Sequence, residues 1–424
     1  MLLSFTVDNF KSFNRPSKLT MFKGNVQKKK EHLMRFAGND VLKGAAIYGT
    51  NSGGKTSFID ALDVSRTLVL SDNPMGNQSD TSIADMYCRI DENNRTRPTS
   101  FGYIFETEGR CYRYDLQVTL NEHKLISESL YEGHLEEDRF TKIFERNGKE
   151  EISFNQEFFS PEEYSKLEGN VSDMDVSTQA TLIFMLSFKK KYPESSNLRV
   201  FTDVRNWFDQ KLIINSGNVQ TKEEMLNSSS ILKHLIPDMQ GTRFEIDENI
   251  PKQFVETGTR YMKEFGMKSL AMADLCLERN GDSYTGYRMK FAHDSTDSLF
   301  NLSDESAGTI ETLLYSPMLA EDDSDITYVI DEFGHSMHPL LAKRFIELFF
   351  ATHEDDRIQL IIATHQILLM TLSLFRMDEI WFIDKEKGES ELYSLSEFQP
   401  RSDVALDRNY LSGRYGALPL FDEW

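Results

Sequence analysis

The feature that most constrains this chain is the run Gly49-Thr50-Asn51-Ser52-Gly53-Gly54-Lys55-Thr56, which fits the pattern GxxxxGK[ST]. It follows a short apolar run, Ala45–Tyr48, and precedes a segment that we predict to be helical. Glycines let backbone N–H groups curl around phosphate oxygens, while the lysine reaches the terminal phosphates and the threonine hydroxyl binds Mg²⁺. The helix also points its positive end at the same anion. Strand, glycine loop and helix together predict an ATP-binding P-loop in an α/β fold.

The nucleotide contacts are assigned to the tip of this loop and the first turn of the helix. They are Asn51, Ser52, Gly53, Gly54, Lys55, Thr56 and Ser57.

A second apolar run, Ile326–Ile330, ends in the pair Asp331 and Glu332. An acid at the tip of a buried strand can bind Mg²⁺, and a neighbouring carboxylate can polarise the attacking water. Taken alone, an apolar run followed by two acids also fits a strand that leaves the core. Together with the P-loop it predicts that Thr56 and Asp331 bind the metal and that Glu332 is the catalytic base.

A third apolar run, Ile361–Ala363, is followed by Thr364 and His365. Because the carboxyl ends of parallel strands share one edge of a sheet, we expect His365 to approach the γ-phosphate. A histidine at a strand end is more often a surface residue, but after this series of motifs a phosphate-sensing role is favoured. The predicted catalytic residues are therefore Lys55, Glu332 and His365.

A fourth segment, Ser306-Ala307-Gly308-Thr309, precedes an apolar stretch, Ile310–Leu319, predicted to be helical. Hydroxyl and N–H donors at a helix start suit a phosphate, which makes Ser306 and Gly308 candidate nucleotide ligands. A helix cap in front of a buried helix explains the same residues equally well. Both interpretations stay open at this point.

The periodicity of the chain divides it into three segments. Residues 1–155 alternate as strands, with a hairpin predicted over Thr99–Val118, and residues 156–270 have helical periodicity. Strands separated by helices return in residues 271–424. This pattern predicts an α/β head with a mixed sheet, split into an N-terminal and a C-terminal lobe by a helical insertion.

Charge and composition limit the class of partner. Forty-seven Lys and Arg against 68 Asp and Glu leave a net charge of −21, which does not favour a protein that coats nucleic-acid phosphates. Residues 1–60 carry ten Lys and Arg against four Asp and Glu, so nucleic-acid contact through Lys28–Lys30 stays possible. Three scattered cysteines suit a reducing compartment, and no apolar run approaches the roughly 18 residues of a membrane span. We expect a cytoplasmic protein that makes no membrane contact.

The order of the four motifs resembles the ATPase head of ABC and SMC proteins, including RecF-like members. In that family a serine-rich signature segment acts on the nucleotide of a second subunit, so the resemblance implies a homodimer or higher homo-oligomer with ATP and Mg²⁺. It also implies that Lys11, in Asn9-Phe10-Lys11-Ser12-Phe13, lies beside the adenine or ribose. Ala307 and Thr309 depart from the family's signature, and Gln78 is a candidate for its Q-loop glutamine.

Four shorter segments narrow the resemblance to stand-alone bacterial ATPases of the AbiL/RloA type, over residues 1–155 and 290–424. They are Tyr112–Tyr114, Asp378–Asp384, Leu392–Leu395 and Tyr410–Pro419. The resemblance implies a sensor or switch subunit of an abortive-infection defence complex that controls a separately encoded effector, often a Toprim-like nuclease. We expect the insertion to contact that effector or a second ATPase subunit through aromatic anchors, although a small local helical core explains the same aromatics better, because rings at helical spacing usually pack inward. The aromatics are Phe158, Phe159, Tyr164, Trp207 and Phe208.

Two other functions are weighed against this one. A DNA-binding ATPase of SMC or RecF type, acting in DNA repair or maintenance, is disfavoured by the acidic charge and by the lack of a sustained heptad pattern. A single-chain nuclease of the overcoming-lysogenisation-defect type is disfavoured because only 59 residues follow His365.

Overall fold

A computed structural model describes most of the chain. The described residues are 1–74, 81–134, 139–148, 151–172, 179–216, 225, 229–235, 249–267, 270–280, 283–294, 296–321, 323, 325–400 and 405–418. Among their helices, none combines the length and the apolar character that crossing a bilayer requires.

Eighteen strands form within these described ranges. They are β1 (Leu2–Asp8), β2 (Ser17–Thr20), β3 (Leu33–Phe36), β4 (Asn39–Leu42), β5 (Gly44–Gly49), β6 (Thr99–Thr107), β7 (Arg110–Thr119), β8 (Lys124–His134), β9 (Arg139–Asn147), β10 (Glu151–Phe154), β11 (Leu212–Asn215), β12 (Leu270–Asn280), β13 (Ser283–His293), β14 (Leu299–Asn301), β15 (Thr327–Ile330), β16 (Gln359–Ala363), β17 (Ile380–Glu386) and β18 (Glu389–Ser394).

The α-helices lie between and around these strands. They are α1 (Lys55–Leu70), α2 (Thr81–Ala84), α3 (Pro161–Ser172), α4 (Leu182–Ser187), α5 (Arg199–Asn206), α6 (Ser230–Leu235), α7 (Asn249–Glu264), α8 (Ala307–Tyr315), α9 (Pro339–Thr352) and α10 (Leu406–Leu411).

The central sheet has six strands in the order β11-β15-β16-β5-β17-β18. The first five run parallel, and β18 pairs antiparallel with β17. The sheet is therefore mixed, and the predicted α/β class is confirmed. Strands β5, β15 and β16 are buried along their whole length. Burial on both faces explains why each of them is a continuous apolar run in the sequence.

Alternate residues of the central sheet face two different cores. On β5, Ala45 and Ile47 face a core shared with α1 and the N-terminal strands, whereas Ala46 and Tyr48 face a core shared with α8 and α9. This alternation follows from the two-residue period of a strand. The parallel sheet is the middle layer of the molecule, so the tips of its strands are held from both sides.

The second large sheet is antiparallel, with the order β10-β9-β8-β7-β6-β1-β2. Its β6–β7 hairpin turns at Glu108 and Gly109, both with positive φ, as the alternation over Thr99–Val118 predicts. A third sheet contains β12, β13 and β14. The antiparallel sheet packs on α1 and thereby covers the helix that carries the P-loop.

The segment predicted as a helical insertion also contributes to the central sheet. It contains five of the helices, but β11 within it pairs in parallel with β15, next to the predicted metal-binding strand. The prediction overlooked this strand because Leu212-Ile213-Ile214 is a short apolar run that a helical pattern also accommodates. A β-branched run followed by Asn215 and Ser216 is nevertheless a strand signal. The division of the chain into three segments stays a prediction.

The prediction that aromatics of this segment contact a partner protein is wrong for three positions. Trp207 is fully buried and stacks on Phe105 of β6 with ring centroids 4.1 Å apart, and Phe208 lies 5.1 Å from Tyr103. Phe159 is also buried. Phe158 and Tyr164 are half-buried against the same core. These rings hold the segment onto the head, because aromatics at helical spacing pack inward.

Candidate active site

The P-loop lies at the carboxyl end of β5, between that strand and α1. Lys55 is buried, and its Nζ donates to the carbonyl oxygens of Gly49 at 2.8 Å and Thr50 at 2.9 Å. Burial lowers the pKa of Lys55 to about 8, although Asp331 and Glu332 oppose the shift. The lysine ammonium is thus positioned across the loop, close to both acids at the tip of β15.

Close packing explains the glycine at position 54. Its φ is +122°, and a Cβ there would lie 2.5 Å from Ser390 Oγ and 3.1 Å from Ser12 Oγ. Ser390 Oγ donates to the Gly53 carbonyl at 2.6 Å and lies within hydrogen-bond distance of Ser12 Oγ, at 2.8 Å. β18 and the N-terminal segment around Ser12 therefore pack against the P-loop and support it. Sequence reasoning missed Ser390, which no motif marks.

The remaining loop residues lie where the motif predicts. Asn51 and Ser52 are exposed at the tip, with Ser52 at φ +62°, while Thr56 and Ser57 are half-buried on the first turn of α1. Tip exposure leaves the backbone of the loop accessible to a phosphate.

Asp331 follows β15 directly and meets the P-loop helix. Its carboxylate accepts a hydrogen bond from the Thr56 hydroxyl, and burial raises its pKa above the ordinary value. Its backbone N–H donates to the Asn215 carbonyl at 3.0 Å, so β11 supports the strand tip from the other side. A carboxylate and a hydroxyl in contact are two oxygen ligands of the kind that Mg²⁺ takes, with water in its other positions. The donor set fits the predicted metal.

Glu332 points out of the sheet. Its φ of +53° turns the chain sharply after β15, and its side chain stays 43% exposed. His335 Nδ1 lies 3.8 Å from a Glu332 oxygen. Exposure beside the buried Asp331, the predicted metal ligand, suits a carboxylate that activates water, and the catalytic role of Glu332 stays a prediction. The motif search did not select His335.

His365 is exposed just past the end of β16, which pairs in parallel with β5, the strand that leads into the P-loop. Partial burial and then the Lys55 charge lower the pKa of His365, and Glu332 opposes the shift. The lowered pKa favours the neutral imidazole, in which one ring nitrogen can accept a proton or a hydrogen bond. Thus Lys55, Glu332 and His365 interact within one site.

The loop after Glu332 is anchored to the end of β16. Thr364 Oγ1 donates to the Phe333 carbonyl at 2.8 Å, and Gln366 Nε2 donates to the carbonyls of Gly334 and, at 3.1 Å, Met337. Each of these bonds joins a side chain to a backbone carbonyl that lies about 30 residues earlier in the chain. Sequence reasoning missed this role of Gln366.

The signature-like segment caps α8. Ser306 Oγ accepts a hydrogen bond from Thr309 N at 3.0 Å, which satisfies the helix start. A Cβ on Gly308 would lie 2.5 Å from the Ser336 carbonyl, so this glycine allows α8 to touch the loop after Glu332. Helix capping thus explains Ser306, and the close approach of the loop explains Gly308. The Ser306 side chain is also exposed, so the ligand role stays a prediction.

Glu311 on α8 ties this helix to the same loop. Its buried carboxylate accepts hydrogen bonds from Gly334 N and Ser336 N, both at 2.9 Å, and from the Tyr315 hydroxyl. Burial raises the pKa of Glu311. A cavity of about 140 Å³ beside Asp331 is lined by Glu311 and Tyr315, among others. The helix start and the catalytic strand tip are therefore connected through one side chain.

Lys11 lies outside this cluster. Its φ is +48°, and its ammonium pairs with Asp60 on the second turn of α1. Lys11 therefore lies beside the P-loop helix, and its contact with an adenine or ribose stays a prediction. Gln78, the Q-loop candidate, lies outside the described residues.

Comparisons with known proteins agree with these motifs. A family model described as "AAA domain, putative AbiEii toxin, Type IV TA system" matches residues 45–371, which include the P-loop, Asp331, Glu332 and His365. No curated protein matches the sequence.

Solved structures similar to this chain include SMC heads. The SMC head domain from Thermotoga maritima is 15% identical, with 93% of this chain and 98% of that chain covered and a TM-score of 0.40. The Smc head domain with an extended coiled coil derived from Pyrococcus furiosus, bound to the C-terminal domain of ScpA, is 13% identical, with 94% and 99% covered and a TM-score of 0.44.

Proposed function

The chain belongs to this AAA-domain family and is a P-loop ATPase of the ABC/SMC type, and from this premise we propose that it is the switch subunit of a bacterial anti-phage defence complex. ATP binding joins two copies, hydrolysis separates them, and the change controls a separately encoded effector such as a nuclease. The AbiEii description of the matching family supports the defence context.

The contacts at the strand tips support a division of labour in hydrolysis. The backbone of residues 51–54 and the Lys55 ammonium bind the β- and γ-phosphates. Thr56 and Asp331 would hold Mg²⁺, which would supply charge neutralisation at the phosphates. The hydrogen bond between them keeps both oxygens together at the strand tip.

Glu332 and His365 act on the side of the γ-phosphate that faces outward. Glu332 orients the attacking water and takes its proton, because its carboxylate is accessible and follows the metal ligand directly. The neutral His365 imidazole hydrogen-bonds to the γ-phosphate or to that water, since its lowered pKa removes competing protonation.

The observation that carries the proposed dimer is the order of groups along one surface. Glu332 lies 3.8 Å from His335, and the next residue, Ser336, touches Gly308 at the start of α8, beside Ser306. In a two-fold dimer the same patch meets itself. An axis through the loop at residues 335–336 would bring Ser306 of a second copy opposite Glu332 of the first. Each nucleotide would then contact both copies.

Mixing two inactive variants tests this composite site. Lys55→Ala removes the phosphate-binding ammonium, and Ser306→Asp keeps a helix cap while placing a carboxylate against the incoming γ-phosphate. A mixed dimer contains one site with neither change. We expect each variant alone to hydrolyse ATP at background rate and an equimolar mixture to recover up to about a quarter of wild-type activity, because half of the dimers are mixed and each has one intact site.

The control is the double variant Lys55→Ala, Ser306→Asp mixed with the Lys55→Ala chain, in which every site stays damaged. Failure of the first mixture to recover activity, with both chains folded, would show that Ser306 does not act across a dimer.

The defence role needs a separate assay. Cells that carry the complete locus should survive phage challenge as a population, and Lys55→Ala should abolish this protection. The neighbouring gene product should copurify with the ATPase in a nucleotide-dependent manner. Equal plaque numbers with and without the wild-type locus, over a broad phage panel, would contradict the defence role and leave the ATPase assignment intact.

A further inference from the structure

A basic loop is fixed on the surface far from the P-loop, over residues 24–30. Arg376, whose side chain is fully buried, donates to the carbonyls of Val26 at 2.9 Å, Lys29 at 3.2 Å and Lys28. Asp378 balances this guanidinium through two bonds of 2.8 Å and also accepts from Gly24 N at 2.9 Å. The loop backbone is thus held from beneath, and its lysine side chains are directed to the surface.

Three cations of this region line a cavity of about 390 Å³. The cations are Lys23, Lys30 and Arg35. The other lining residues are Asp40, Gln27, Val26, Leu33 and Met34. A volume of this size lies in the lower part of the range for small-molecule sites. The lining combines charge with an apolar wall.

The charges in the cavity are not balanced. Asp40 is the single carboxylate in the lining, and both Lys23, at 3.0 Å, and Arg35, at 2.9 Å, pair with it. The Lys23 ammonium beside Asp40 lowers the pKa of that carboxyl, which therefore stays ionised. Among the described residues Lys30 forms no ion pair. Three cations against one anion leave the cavity with an excess of about two positive charges at neutral pH.

The cavity is distinct from the ATP site. Asp40 lies on β4, which leads into the amino end of β5, and Arg376 and Asp378 directly precede β17. The P-loop follows the opposite end of β5. A strand of this length spans about 17 Å at roughly 3.3 Å per residue, so one ligand of mononucleotide size cannot occupy both places.

We propose that this cavity binds an organic phosphate of mononucleotide size, with a dianionic phosphate on Lys30, Lys23 and Arg35. The apolar or ring portion of the ligand packs on Val26, Leu33 and Met34. Two excess positive charges match one phosphate monoester, and planar bidentate binding by arginine suits its oxygens. The fixed loop backbone lowers the ordering cost of binding. Neither ATP hydrolysis nor the defence role is needed for this site.

Calorimetric binding of 5′-mononucleotides to the Lys55→Ala chain tests the proposal, because that background removes the phosphate-binding ammonium of the P-loop. We expect one site per chain for at least one of AMP, GMP, CMP and UMP, and no binding of the matching nucleoside. Lys30→Met keeps the aliphatic length and removes the charge, and Arg35→Met does the same at the opposite wall. Each should raise the Kd about tenfold or more, since a charge-assisted contact is lost.

Lys191→Met is the matched control, because Lys191 is an exposed lysine of another lysine triplet, outside the cavity. It should leave the Kd unchanged, and all variants should keep the urea midpoint of the parent. Absence of binding by all four mononucleotides would overturn the proposal. So would binding that Lys30→Met and Arg35→Met both leave unchanged. Salt-sensitive binding of a short DNA duplex that requires Lys30, without mononucleotide binding, would instead assign the surface to a nucleic-acid backbone.

Discussion

Replacing Glu311 by alanine should weaken both the fold and the catalytic strand tip. The substitution leaves Gly334 N and Ser336 N without their acceptor and removes the partner of the Tyr315 hydroxyl. The buried Gly334 N–H that loses its bond costs about 1–3 kcal/mol, whereas the partly buried Ser336 N–H can bond to water and costs less. Because burial already raises the pKa of Glu311, removing a costly buried carboxylate offsets part of this loss. The expected net decrease in the free energy of unfolding is about 2–3 kcal/mol.

The effect on activity should be larger on hydrolysis than on nucleotide binding. Gly334 and Ser336 follow Glu332 within four residues, so a loosened loop displaces the proposed base, whereas Lys55 and Thr56 lie on another element. Urea unfolding followed by tryptophan fluorescence measures the stability, and single-turnover hydrolysis with a separate nucleotide Kd measures the function. Glu311→Gln keeps one acceptor oxygen and should lose about half as much stability, near 1 kcal/mol.

Glu347→Ala is the matched control, since this glutamate of α9 is 43% exposed and pairs only loosely, at 3.7 Å and 3.9 Å, with Arg344 and Lys343. It should change stability by less than about 0.5 kcal/mol. The reasoning is refuted if Glu311→Ala unfolds at the same urea concentration as this control and hydrolyses ATP at the wild-type rate.

Three further outcomes are expected. Glu332→Gln should retain ATP binding but leave the nucleotide unhydrolysed in a filter-binding and product assay; wild-type turnover would remove Glu332 from the base role. Because burial lowers the pKa of Lys55 to about 8, the ammonium that is proposed to bind phosphate is lost as pH rises through that value. ATP affinity should fall above pH 8, with proton uptake on binding that calorimetry in two buffers detects; a Kd constant from pH 7 to 9.5 would contradict this. Trp207→Ala should cost about 3–5 kcal/mol in chemical denaturation, since the ring is fully buried against Phe105, and a loss below 1 kcal/mol would place it outside the core.

Local patterns in the sequence were sufficient to predict the strands and the helix that carry the motifs. The apolar runs that end at Ile330 and Ala363 are strands β15 and β16, and the helix after the P-loop begins at Lys55. These predictions succeed because continuous apolar runs, turn residues and a glycine loop act over a few residues. The strand tips then meet at one edge because parallel strands share their direction, so Asp331 and His365 were placed without knowledge of the packing.

The contacts that hold those tips in place depend on residues far apart in the chain. Ser390 braces the P-loop from a strand more than 300 residues away, and Asn215 supports Asp331 from a strand that the helical pattern concealed. Burial of Trp207 likewise depends on Phe105 across the antiparallel sheet. A periodic pattern shows which face of an element is apolar, but not what covers that face. The sequence by itself therefore determined which groups can do the chemistry, and the tertiary structure decided which partners position them, because positioning depends on long-range packing and hydrogen bonds.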